Sequence, residues 1–224
     1  MINIDAYTYE PAAHKYFQLQ QANKYIPDWF KKVPTSFMAP VVDDMHIERP
    51  TMKQCVGLTD LYNKGFMIPL WSDVVIETNE ISCRYAYADG ESKLDQHAPQ
   101  QMGQLTYGNI HGKLLNPWKL KTDSDVDFLW SQPSYNLYEH FRKFHVLPGI
   151  VNYKHQHATH INIMMQPNTR IELEAGTPLA HIIPLTDEKV TITHHLVTQQ
   201  DWDAMAVYPA WKNRYAKGKK ANVS

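Results

Sequence analysis

Three histidines, His155, His157 and His160, fall within the short stretch "GIVNYKHQHATHINIMM", residues 149–165. Neutral imidazole is a ligand for zinc, iron, copper or nickel. On an extended strand His155 and His157 point to one face about 7 Å apart, a workable two-pronged claw, and His160 points to the other. A divalent metal on His155 and His157 is one expectation. The plainer one is a polar strand face or a hairpin tip. His194 and His195 are adjacent, so on a strand they face opposite ways and form no claw. Cys55 and Cys83 are the two cysteines and make no CxxC, which excludes a structural zinc site of the usual cysteine type. In a reducing compartment both are expected as free thiols. No serine or cysteine stands in a nucleophile motif, and there is no phosphate loop.

The elements that must position these residues are mostly short strands. "THINIMMQ" alternates Ile161, Ile163 and Met165, the period of a half-buried strand. Thr159 to Met165 is expected as a core strand, and Gly149 to Asn152 as a strand end leading into a turn. "PNTR" reads as a turn, "IELEAG" as a strand with Ile171 and Leu173 inward, and "PLAHIIPL" as a buried strand. Phe66–Leu70, Asp73–Thr78, "ISCRYAYAD", "NPWKLKT", "DFLWSQP" and "KVTITHHLV" add further strands. The best helical signal covers 11–33, with Pro11 in its first turn and Pro27 ending or breaking it. "TSFMAPVVDDMHIERPTMKQC" reads as a proline-punctuated connector. Residues 201–217 read as a helix interrupted at Pro209, with Asp201 capping it. The expected fold class is mainly β (α+β), with a β-clip or barrel-like core flanked by N- and C-terminal helices. Its parts are an N-terminal helical segment and connector over 1–54, a β core over 55–198, and a C-terminal helix with basic tail over 199–224.

Composition narrows the function classes. A chain of 224 residues can bury a sizeable core, and 43% hydrophobic residues exclude a disordered composition. No apolar run approaches the ~20 residues of a membrane span, so no membrane partner is expected. The start of the chain has neither a basic n-region nor an apolar h-region, so no leader and a cytoplasmic setting are expected. A formal charge of −1 argues against a general nucleic-acid binder. The tail carries Lys212, Arg214, Lys217, Lys219 and Lys220, and is expected to be solvated.

Two metal- and nucleotide-binding patterns can be laid against the opening stretch. Gly149, His155 and His157 match the "G-x5-H-x-H" opening of the cupin pattern, a metal-binding β-barrel. The Glu that pattern wants next is absent, with Ile161 and Asn162 in its place. A non-haem iron triad would need a carboxylate beside His155, where Gln156 stands. From Lys119 to Pro184 the order of motifs resembles the trimeric dUTPase and dCTP deaminase group. Gly149-Ile150-Val151-Asn152 looks like its "GVID" hairpin, and "GTPLAH" from Gly176 to His181 like its "GxxIAQ" strand. This resemblance implies a β-clip core, a nucleotide-like ligand and a trimer, leaving a homo-oligomer open. The departures fall on the chemistry. Asn152 replaces the water-activating Asp and cannot take its proton. His155 replaces a Tyr, and Gln132-Pro133 replaces the phosphate-binding Arg-Ser.

The chain is also similar, nearly throughout, to an uncharacterised family (a domain of unknown function) of tailed phages, large DNA viruses and some bacteria. The shared motifs are "PDWFKK", "CVGLTDLYNKGFMIPLWSD", "NPWKLKT", "PGIV" and "GTPLAHIIP". That similarity implies a phage source, in host cytoplasm or virion. Candidate ligand-binding residues are Asn152, His155, His157, Gln132 and Lys121. The expected function is binding of a small ligand such as a nucleotide, or of a protein partner, on a dUTPase-like core without the catalytic Asp. The alternatives are a His-coordinated metalloenzyme of cupin or oxygenase type and a virion or assembly protein.

Overall fold

A computed structural model describes residues 1–41, 45–102, 108–136, 139–158 and 160–205. The strands in chain order are β1 Ile2–Thr8, β2 Gln20–Gln21, β3 Ser36–Pro40, β4 His46–Pro50, β5 Phe66–Pro69 and β6 Val74–Thr78. Then come β7 Cys83–Tyr87, β8 Leu94–Gln96, β9 Ile110–Leu114, β10 Lys119–Lys121, β11 Asp127–Ser131 and β12 Phe144–Val146. The last are β13 Gly149–Asn152, β14 Ile161–Met165, β15 Arg170–Leu173, β16 Pro178–Pro184 and β17 Val190–Leu196. Among the described residues five short α-helices accompany them: α1 Pro11–Tyr16, α2 Asp28–Lys32, α3 Val56–Asn63, α4 Pro99–Met102 and α5 Gln199–Ala204. None is long and apolar enough to cross a membrane among the described residues.

The protein is mainly β. Its strands form separate sheets ordered β10-β1-β17, β13-β11-β16-β5-β2, β12-β14-β9-β8, β15-β6-β7 and β3-β4. As expected, the class is mainly β with few helices, and no sheet closes into a barrel among the described residues. Instead, the four larger sheets turn their apolar faces on one core. Ile2 and Ile4, Phe128 and Ile182, Ile161 and Ile163, and Ile76 and Ile171 meet there, all essentially inaccessible. The expected alternation of Ile161, Ile163 and Met165 is present, and each burial contributes roughly 1.5–3 kcal/mol. Leu179 and Ile182 are likewise buried in β16. A second, smaller cluster joins Phe30, Leu58, Tyr62 and Met67 under the helices.

Several sequence expectations are corrected. The helix over 11–33 ends at Tyr16, because Gln20 and Gln21 extend the edge of β5, opposite Met67 and Phe66. The connector before residue 54 contains a β-hairpin, β3 with β4, whose prolines Pro40 and Pro50 sit at the strand ends. None of its strand residues is fully buried, and Phe37, Met38, Met45 and Ile47 are exposed. The segment expected as helical at the start of the chain instead opens with β1, the middle strand of its sheet. β1 runs parallel to β17 and antiparallel to β10.

At the other end, the cap of α5 is Thr198, whose hydroxyl accepts from the Asp201 N–H at 3.1 Å, and not Asp201. The expected helix beyond it and the basic tail lie outside the described residues. Buried Lys119 ties α5 to β10. Its Nζ lies 3.8 Å from the centre of the Trp202 ring and donates to the carbonyls of Trp202 and Met205, where the helix dipole favours a cation.

Candidate functional site

The histidine stretch does not run on as one strand. After β13 the chain turns: the N–H groups of His155 and Gln156 both donate to the Asn152 carbonyl, at 3.0 and 2.9 Å. The Asn152 side-chain oxygen accepts from Lys154 N–H at 3.2 Å, a local bond typical of an Asx turn. His155 and His157 are therefore not two residues of a single pleat, and the strand claw is corrected. His155 Nε2 lies 3.7 Å from Asp125 Oδ1, and the His157 carbonyl accepts from Leu120 N–H at 2.8 Å. Among the described residues no group of three His, Cys, Asp or Glu side chains is arranged to hold a metal ion.

The other candidate residues also have separate places. Asn152 is buried, and its amide donates to Asp125 Oδ1 at 2.9 Å and Asp127 Oδ1 at 3.0 Å. It braces the start of β11, and by donating to both carboxylates it offsets the repulsion between them. Gln132 Oε1 accepts from Val146 N–H at 3.1 Å, just after β11. Lys121 is exposed on β10, opposite Asp5.

What does form is a groove of about 330 Å³ between the edge of β13 and the sheet that contains β9 and β14. Gly149 and Val151 line it. By the two-residue period, Asn152 then faces away from it. Trp130 on β11 forms part of the wall, its indole N–H tied to the Tyr153 hydroxyl at 2.6 Å. The polar lining is Lys113, His97, His160, Asn162 and Gln156. Antiparallel pairing of β14 with β9 sets Asn162 opposite Lys113. Beside this pair, Gly112 leaves room for the core side chains of β14: a Cβ there would lie 2.8 Å from the Met165 methyl and 3.2 Å from the Ile163 side chain.

The groove's electrostatics follow from burial. Lys113 Nζ lies 3.1 Å from Asp95 Oδ2. Burial holds the His160 imidazole below the ordinary histidine range; the Lys113 charge acts in the same direction and Asp95 against it. His97, in the lining, stacks on His111 with ring centres 4.4 Å apart. Burial, helped by His97 and Lys113, pulls His111 down to about 4. His160 Nδ1, Asn162 Oδ1 and both nitrogens of His111 are buried without a hydrogen-bond partner among the described residues. Groups of this kind are uncommon in folded proteins and ask for a water, a ligand or a functional reason.

A pH dependence follows. The pKa of His111 is depressed on folding, and burial also brings His140 to about 4. Below about 6.5 the unfolded chain binds protons that the folded chain refuses. Stability is therefore expected to be flat above about 6.5 and to fall as pH drops toward 4. Urea midpoints across that range test this, and a His111→Gln variant with an unchanged slope would remove His111 from the account.

Sequence reasoning flagged His160 and the β13 hairpin but missed Lys113, His97, Asn162 and Trp130. In the sequence Asn162 stands out only, with Ile161, where the cupin pattern wants a Glu. Nothing in "NIHGKLL" marks Lys113, since its role exists only once β9 pairs with β14.

The fold and site together define a mainly β protein with a polar groove on one sheet edge. No family model, curated protein or solved structure matches the chain.

Proposed function

We propose that the chain is a non-hydrolytic binding protein that takes a small polar ligand in the groove beside β13. One observation carries this reading: His160 Nδ1 and Asn162 Oδ1, both without a partner among the described residues, belong to residues lining the same groove as Lys113 and Gln156. Its size is within the range of small-ligand sites, and its walls combine apolar surface from Trp130 and Val151 with a few polar groups. The resemblance to the dUTPase group makes nucleotides and their components the first ligands to test. The hydrolytic step of that group has no counterpart at Asn152, whose side chain is neutral and committed to Asp125 and Asp127.

The test is a thermal-shift and calorimetric screen of nucleobases, nucleosides and nucleotides. Binding is expected to weaken about tenfold in His160→Ala, which removes one polar contact of roughly 1.4 kcal/mol. Lys121→Ala, on a different sheet, is expected to leave it unchanged. No ligand binding, or equal loss in both variants, would remove the reading.

A second reading, an assembly protein, is favoured by the bare hairpin of β3 and β4. Phe37, Ala39 and Ile47 share its apolar face, with Arg49. Light scattering that finds the same monomer for the wild type and for Ile47→Ser would count against self-assembly through it.

A further inference from the structure

Building on the groove as a small-ligand site, we infer that its ligand is an uncharged hydrogen-bonding molecule, such as a flat heterocycle, and that phosphorylated ligands are excluded. The charge in the groove decides this. Among the described lining residues there is no arginine, and Lys113 is the one permanent cation. Its charge is already answered by Asp95 at 3.1 Å. Phosphate sites are usually built from a bidentate guanidinium, several cations or the N–H groups of a helix start, and no helix start is among the described lining residues. A phosphate placed here would also bring its negative charge toward Asp95.

What the groove does offer suits a neutral partner. Gln156 and Asn162 present amides, which donate and accept. His160 is held neutral by burial, so its ring has one donor and one acceptor nitrogen. The Trp130 and Val151 side gives an apolar wall for the face of a ring. A molecule with donors and acceptors along one edge and no charge matches this set without leaving an ion desolvated.

Nucleosides and their 5′-phosphates are matched probes, because they differ only in charge and in the phosphate itself. Isothermal titration of the full chain is expected to show a nucleoside or free base binding at least tenfold more tightly than its monophosphate, and no binding of orthophosphate. Asp95→Asn leaves Lys113 unanswered. In that variant the monophosphate is expected to gain about tenfold, with the nucleoside unchanged. Asp95 is largely exposed, so this variant is expected to fold. Wild-type protein that binds the monophosphate as tightly as the nucleoside would overturn the inference while leaving the groove a ligand site. So would an Asp95→Asn variant that binds phosphates no better. If no neutral or phosphorylated probe binds, the groove reading falls and takes this inference with it.

Discussion

Asn152→Asp is expected to destabilise the protein by about 3 kcal/mol near neutral pH, without creating hydrolytic activity toward any nucleoside triphosphate. The substitution introduces the residue type used by the dUTPase group, so on the resemblance alone it reads as a gain. The structure makes it the reverse. The Asn152 amide donates to Asp125 at 2.9 Å and Asp127 at 3.0 Å, and the side chain is buried. A carboxylate there loses both donors and brings a third negative charge against two others. The new group would have a folded pKa raised above its unfolded value. Its cost is therefore largest at neutral pH and fades as pH falls through the folded pKa. Urea unfolding of variant and wild type at pH 7 and pH 5 checks this: the gap between them should shrink at the lower pH. A constant gap would place the cost in packing instead of charge.

Gly65→Ala is the other large effect, expected to cost about 4 kcal/mol or more and to lower the melting temperature by roughly 10 °C. Gly65 lies between α3 and β5 with φ of +73°, and a Cβ there would fall 1.9 Å from the carbonyl oxygen of Ile182. That oxygen belongs to β16, which pairs with β5 at Phe66, so neither side can retreat without breaking the ladder. Gly90 provides the comparison. Its φ is +69°, but nothing lies within 4 Å of its added Cβ. Gly90→Ala should cost only the left-handed backbone term, about 1–2 kcal/mol. Equal melting temperatures for the two variants would refute the contact argument.

The strands that stand out in the sequence are those with a clean two-residue period and turn residues at both ends. "INIMM" and "RIEL" are of this kind, with Asn168 supplying the positive φ between them. "INIDAYT" has the same period in Ile2, Ile4 and Ala6, but it stands directly before the helical pattern from Pro11 and is absorbed into the N-terminal helical segment. β9 is hidden because His111 and Gly112 interrupt its apolar run. The hairpin of β3 and β4 is hidden because its residues are not sorted by burial at all. The candidate site is less legible still. His155 and His157 attract notice by being close in sequence, but a turn separates their roles. Lys113, Trp130 and His160 come from three separate strands or connections and meet only through sheet pairing. Such meetings leave no local signature.

The parallel ladder of β1 with β17 sets Ile2 beside Val190 and Thr8 beside Leu196. For a chain being synthesised from its N-terminal end, β1 has no β17 to join until nearly the whole core has been made. Meanwhile Ile2, Ile4 and Ala6 have to wait with their backbone donors open. Closing so long a loop is slow, because its entropic cost precedes any contact that offsets it. The expected order of events is therefore a core that collapses around β5, β11 and β16 first, with the β1–β17 sheet zipping shut last. In pulse-labelled hydrogen exchange during refolding, the amides of β1 should gain protection after those of β16.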